Sequence, residues 1–167
     1  MTDNHQASRL DRFLELSSIA TAFTVFELWG TGMAAEYLAV VDRVVGSEVT
    51  DQLLDVYGRV TRDADAKAEL DILIRHELLS DPTLGPVARN IVKLWYVGIW
   101  YALPRAWIDA NGARSADATF TVSATAYTEG LLWPAIGASP PGAKPPGFAT
   151  WTEPPRIPVR ATRALAT

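Results

Sequence analysis

The sequence predicts an all-α protein, a small helical bundle of about five to seven helices with an extended proline-rich C-terminal arm. Three observations predict it. Apolar residues recur at helical spacing through most of residues 10–137. The breaks between these runs are short and carry Gly, Pro or Asn-Gly. Residues 138–158 hold seven prolines, which exclude a regular helix or a central strand there. The expected layout is a flexible lead at residues 1–9, a helical domain at 10–137 and the arm at 138–167.

The segment that organises the rest is Pro86 to Leu103, PVARNIVKLWYVGIWYAL. Pro86 suits a first helical turn, where its missing N–H costs nothing. Gly98 weakens a helix by roughly 1 kcal/mol relative to Ala, and Pro104 disfavours continuing. A helix this apolar nearly all round is a buried one. Its remaining face, Arg89, Lys93, Tyr96 and Trp100, combines basic and aromatic residues. That face either closes the chain's own core or docks a second polypeptide, since Tyr, Trp and Arg are enriched in interface cores.

The other elements follow in order. Leu10 to Trp29 reads as one helix, with Phe13, Leu16, Ala20 and Phe23 in register. Gly30-Thr31-Gly32 bends the chain. Its spacing matches neither GxxxxGK[ST] nor GxGxxG, so it is not read as a phosphate loop. Met33 to Val45 turns Tyr37, Val40, Val41 and Val44 inward and ends at Gly46. Val49–Thr61 and Ala66–Leu79 are further helices, the second stopped by Ser80-Asp81-Pro82. Thr119 to Val122 alternates like a short extended piece. Ser123 is placed to cap a helix over Ala124–Trp133, with Pro134 as its stop. Phe148 and Trp151 are lone aromatics of the arm and need pockets, in this chain or in a partner.

Composition removes several functions. The net charge of −4 offers no basic field for nucleic acid. Cysteine is absent, which removes disulfides, thiolate metal sites and cysteine nucleophiles. No uncharged apolar run is long enough to span a bilayer.

Catalysis needs a nucleophile with a base, paired carboxylates or a metal site. His5 lies in the polar lead and His76 among charged neighbours, without HExxH or metal spacing. Ser17-Ser18 lacks the glycines of a nucleophile elbow. Asp51/Asp55 and Asp63/Asp65 read as solvated helix surface. Glu129, in AYTEGLLW, is the one carboxylate set among aromatics and aliphatics, and is the candidate general acid. No self-sufficient active site emerges, and no catalytic, cofactor-binding or metal residue is assigned.

Three stretches together resemble a known family: Ile91–Trp100 (IVKLWYVGIW), Ala126–Trp133 (AYTEGLLW) and Pro145–Pro155 (PPGFATWTEPP). Phe13–Leu28 with the glycine bend is similar to its leading helix. The family is the small subunit of membrane-bound FAD-dependent sugar and polyol dehydrogenases, which act on sorbitol, fructose or glucose. The resemblance implies a non-catalytic chain that stabilises a large FAD-binding subunit of the glucose–methanol–choline type. A cytochrome c subunit carrying haem is often the third member. On the matching positions it implies partner contacts at Trp95, Tyr96, Trp100, Tyr127, Trp133, Phe148 and Trp151. The family's small subunit carries a twin-arginine export signal for a periplasmic complex, whereas residues 1–12 lack one, which leaves a cytoplasmic complex open. Two alternatives stand beside this one. One is a stand-alone helical enzyme using Glu129 beside Tyr127 and Trp133; the other is a sugar-binding module with an aromatic pocket.

Overall fold

The computed structural model describes residues 2–64 and 66–141, with side chains described from Arg9 onward, Lys67 apart. In chain order the elements are α1 (Thr2–Thr21), α2 (Val25–Gly30), α3 (Ala34–Val45), α4 (Ser47–Asp63) and α5 (Lys67–Leu73). A π-helical turn (Ile74–Leu79) continues α5. Then come α6 (Leu84–Val97), β1 (Ile99–Trp100), α7 (Arg105–Asn111), β2 (Phe120–Thr121), α8 (Ala124–Thr128) and α9 (Leu132–Ile136). The class is the expected all-α one, with a single antiparallel ribbon that pairs Ile99 with Thr121 and Trp100 with Phe120. Nine α-helices lie among the described residues, rather than five to seven, because two expected rods are each cut in two and α7 is a further short helix.

Helix α6 is the hub. It packs against α1, α3, α4, the π-helical turn and α8. Val87, Ile91, Leu94 and Trp95 are its inward residues, and each is almost wholly enclosed. Around them close Phe13 and Leu14 of α1, Leu38, Val41 and Val44 of α3, and Leu53 and Leu54 of α4. Burial of a side chain of this size contributes about 1.5–3 kcal/mol, so this one cluster supplies much of the drive to fold. Asp81 starts α6 by accepting from the backbone N–H groups of Thr83 (2.8 Å) and Leu84 (2.7 Å). The Trp107 indole donates to the Thr83 carbonyl at 2.8 Å and ties α7 to the same end.

The expected helix over Pro86–Leu103 is shorter than its apolar run. It stops at Gly98, which sits left-handed at φ +68°. A Cβ there would lie 2.7 Å from the backbone carbon and oxygen of Ala126. Gly98 therefore both reverses the chain and lets α8 approach α6 closely. Ile99 and Trp100 leave as strand, and Val122 N–H bonds the Gly98 carbonyl at 2.9 Å. Asp117 organises the loop that follows. Its carboxylate accepts from the Trp100 indole and from the Leu103 N–H, at 3.1 Å each.

The expected helix over Leu10–Trp29 is interrupted at residues 22–24. Ala22 takes φ +61°, and Thr24 opens α2 with a capping box: Glu27 N–H bonds the Thr24 hydroxyl, and the Glu27 carboxylate accepts from Thr24 N–H at 2.7 Å. The joint is stitched to the hub, since the Tyr96 hydroxyl donates to the Thr21 carbonyl at 2.9 Å. Residues 1–9 were expected to be a lead, yet α1 begins at Thr2. Ser123 caps α8 as expected, its side chain accepting from Ala126 N–H. Pro134 is not a stop: it occupies the first turn of α9, where a missing N–H is harmless. Of the arm, only residues 138–141 lie within the described region.

A charged clamp holds α1, α3 and α4 together. The Arg9 guanidinium, 7% exposed, grips Asp42 through two nitrogens at 3.0 Å and donates to Asp51 at 2.7 Å. These bonds raise the Arg9 pKa above its ordinary value, the hydrogen bond to Asp42 contributing most. A second pair, Arg12 with Asp55 at 2.6 Å, is solvent-exposed.

Two outcomes follow from these contacts. Gly98→Ala combines an unfavourable φ with a backbone clash and should cost about 2–4 kcal/mol in urea denaturation. Gly112→Ala meets nothing within 4 Å of the added Cβ, but φ +88° with ψ 149° is a backbone region essentially confined to glycine, so conformational strain alone should cost about 1–3 kcal/mol. Arg9→Met strands two carboxylates and should cost about 2–3 kcal/mol, whereas Arg12→Met should cost under about 1 kcal/mol. Equal effects at the two arginines would show that burial of the clamp is not what matters.

Candidate functional site

The seven positions singled out as partner contacts fall into four groups. Trp95 and Trp100 turn inward, at 1% and 0% exposure, and this corrects their placement at a partner surface. Trp95 stacks on Phe13 (centroids 6.3 Å apart) and meets Tyr37 edge-on at 4.9 Å. Trp100 pairs with Phe120 of β2 and donates its indole N–H to Asp117. Gly98 is the reason: ending the helix there removes Trp100 from the face it would share with Lys93 and Tyr96.

The rest of the basic-aromatic face is largely engaged within the chain. Arg89 donates to the Leu79 carbonyl at 2.8 Å, and the Lys93 ammonium sits 4.8 Å over the Tyr101 ring. Tyr96 is half-buried, bonded to Thr21 and edge-on to Phe23 at 6.1 Å.

Tyr127 and Trp133 reach the surface together. Their rings meet edge-on at 5.4 Å, and the Trp133 indole donates to the Tyr127 carbonyl at 2.7 Å. Trp133 borders a hollow of about 370 Å³ between α2 on one side and α8–α9 on the other. Phe23, Glu27, Glu129, Leu131 and Pro134 also line it, as does buried Pro140 at the root of the arm. Two close backbone approaches build this wall: Leu131 N–H bonds the Trp95 carbonyl at 2.9 Å, and a Cβ on Gly130 would lie 2.8 Å from the Tyr96 carbonyl oxygen. Phe148 and Trp151 lie outside the described residues.

Glu129 faces this hollow together with Glu27, whose carboxylate already serves the α2 cap through both Thr24 N–H and the Thr24 hydroxyl. His76 is exposed, 3.9 Å from Glu77. Among the described residues no group of three or more His, Asp or Glu side chains is placed to hold a metal ion, and no helix is long and apolar enough to cross a membrane.

Pattern reading missed the most exposed rings. Phe26 is 86% exposed and Trp29 49%, both on α2, while Ile136 on α9 is 42% exposed. With Tyr127 on α8 they make four exposed large apolar side chains on three short helices, α2, α8 and α9. The signal was available: Thr24-x-x-Glu27 is a capping-box spacing that starts a new helix and rotates Phe26 and Trp29 off the α1 register. Comparison with protein-family models, with curated proteins and with solved structures gives no match for this chain.

Two core tyrosines respond to alkali. Burial pushes the Tyr57 phenol up to about 12, with the nearby charge of Glu15 adding to it. Burial raises Tyr37 further, with Glu36 as the smaller cause. An unfolded tyrosine ionises near 10.0, so above that pH the unfolded chain releases protons that the folded chain keeps. Stability is therefore full below about pH 10 and falls as pH rises beyond it. Among the described residues the buried Tyr37 hydroxyl has no hydrogen-bond partner. Tyr37→Phe should then change stability by less than about 1 kcal/mol at pH 7 and should lessen the loss at pH 11 by about 1 kcal/mol, read by urea denaturation at both pH values.

Proposed function

We propose that this chain is a non-catalytic small subunit that binds and stabilises the FAD-containing catalytic subunit of a sugar or polyol dehydrogenase complex, assisting its maturation. The observation that carries the reading is the set of large apolar side chains exposed on the short helices α2, α8 and α9, namely Phe26, Trp29, Tyr127 and Ile136. Exposed rings held on short, capped helices suit contact with another protein, because aromatic anchors dominate binding energy at interfaces. The motifs of Ile91–Trp100, Ala126–Trp133 and Pro145–Pro155 supply the family, and with it the flavoprotein partner and a cytochrome c subunit as a third member. The buried members of those motifs, Trp95 and Trp100, then act by holding the scaffold, and Tyr127 and Trp133 by touching the partner.

A second reading rests on the hollow itself. Glu129 beside Trp133 and Tyr127 would suit a sugar stacked on an aromatic face.

Co-expression with a flavoprotein of the glucose–methanol–choline type, sought among the reading frames next to the one for this chain, tests the proposal. A complex with flavin absorbance and dye-linked dehydrogenase activity is expected, and the large subunit alone should be insoluble or flavin-poor. Phe26→Asp with Trp29→Asp should lower recovery of the complex by at least about tenfold, with the circular dichroism of this chain unchanged. A large subunit that is soluble, flavin-replete and fully active by itself would overturn the reading. Turnover of a sugar by this chain alone, lost in Glu129→Gln, would establish the second reading in its place.

A further inference from the structure

A second cavity lies on another part of the bundle. It opens between the C-terminal half of α1, the π-helical turn and the middle of α6, and measures about 240 Å³. Its walls are Leu16, Ile19, Ile74, Leu78, Ile91 and Val92. Ala20 and Ala88 also line it, and their short side chains leave room where larger residues would close the gap. The inner wall is core: Leu16, Leu78 and Ile91 are buried there, while Ile19 stands 38% exposed at the edge.

The polar groups of the lining are Asp71 and Arg75. They are four residues apart at the junction of α5 with the π-helical turn, and both are exposed. In a regular α-helix that spacing favours an ion pair. Here, among the described residues, neither makes an ion pair. The π-helical turn continues to Ser80, whose N–H and hydroxyl both bond the Arg75 carbonyl, at 3.0 and 2.8 Å. The mouth of an apolar hollow thus presents one carboxylate acceptor and one guanidinium donor, neither engaged with the other.

We propose that this cleft is a binding site for a small uncharged amphiphile, an alkyl or aromatic alcohol, with its tail among Leu16, Ile91 and Leu78. A hydroxyl both accepts from a guanidinium and donates to a carboxylate, so it satisfies Arg75 and Asp71 at once. A carboxylate head would meet Arg75 but be repelled by Asp71, and an ammonium head would meet the reverse conflict. The volume suits a short chain or a single ring, since pockets for drug-sized molecules run from about 300 to 1,000 Å³. This site lies apart from the α2–α8–α9 hollow and does not depend on the partner proposed for it.

The experiment titrates the full chain with 1-octanol, octanoate and octylammonium, following methyl resonances of Leu16, Ile74 and Ile91 by NMR. Saturable shifts confined to this cleft are expected for octanol, with affinity about tenfold above that of either charged compound. Ala20→Phe, at an exposed position near the end of α1, should fill the cleft and abolish the shifts. Asp71→Asn with Arg75→Gln, on the exposed rim, should reduce the preference for octanol over octanoate to about threefold or less and leave the fold intact. Three results would overturn the proposal: no saturation by octanol, equal affinity for all three head groups, or shifts that persist in Ala20→Phe. Perturbation of the cleft resonances only on adding the flavoprotein would likewise overturn it, and would make the cleft a protein contact.

Discussion

The abrupt end of α6 at Gly98 is the constraint on which the remaining architecture depends. Up to Val97 the helix serves as the common wall of the bundle, touching α1, α3, α4 and the π-helical turn. One residue later the chain reverses through a left-handed glycine and becomes the strand that pairs with Phe120 and Thr121. Because Gly98 has no side chain, Ala126 of α8 lies directly against its backbone, and α8 with the Gly130–Leu131 turn covers the helix end. Extended by one more turn, α6 would displace α8 and remove the wall on which Tyr127 and Trp133 are displayed. The geometry of the exposed aromatic face is thus a consequence of one residue deep in the hub.

Around that hub two kinds of force divide the work. Apolar packing joins α1, α3, α4 and α6 through fully enclosed side chains such as Phe13, Val41, Leu54 and Leu94. It is strong but non-directional and leaves rotation about each helix axis weakly determined. Arg9 supplies direction. Its planar guanidinium holds two carboxylates from two other helices in fixed geometry, so α1 has one preferred rotation relative to α3 and α4. At the far end of α1 the Tyr96 hydroxyl on the Thr21 carbonyl has the same role toward α6.

Much of this was legible from residue spacing, and the exceptions have identifiable causes. Helix α3 was readable almost to the residue, because Tyr37, Val40, Val41 and Val44 form an unbroken stripe between Met33 and Gly46. Periodicity failed where two helices share nearly the same register. Apolar residues continue in step from Phe13 to Phe23, so nothing in the hydrophobic pattern announces that Ala22 adopts a positive φ. A lone glycine inside an apolar run is equally ambiguous: Gly98 is compatible with a weakened helix or with a helix end, and contact with Ala126, nearly thirty residues away, decides between them. For surface exposure, aromatic content alone did not tell which rings reach solvent. Trp95 and Trp133 look alike in sequence, and their opposite fates are set by the tertiary position of α6 and α9. Phe26 and Trp29 were hidden within a helix expected to be continuous.

The Thr24–Glu27 box bears on how α2 would engage the partner proposed for it. A six-residue helix is too short to persist in isolation. Here reciprocal hydrogen bonds at its first turn, and buried Leu28 beneath it, hold it in shape before any encounter. Phe26 and Trp29 are therefore presented on a pre-organised platform, and association does not have to freeze the backbone beneath them. The entropy that a disordered segment would lose on binding has already been lost on folding. In the proposed complex, contacts on such a platform would lengthen residence more than they would speed encounter.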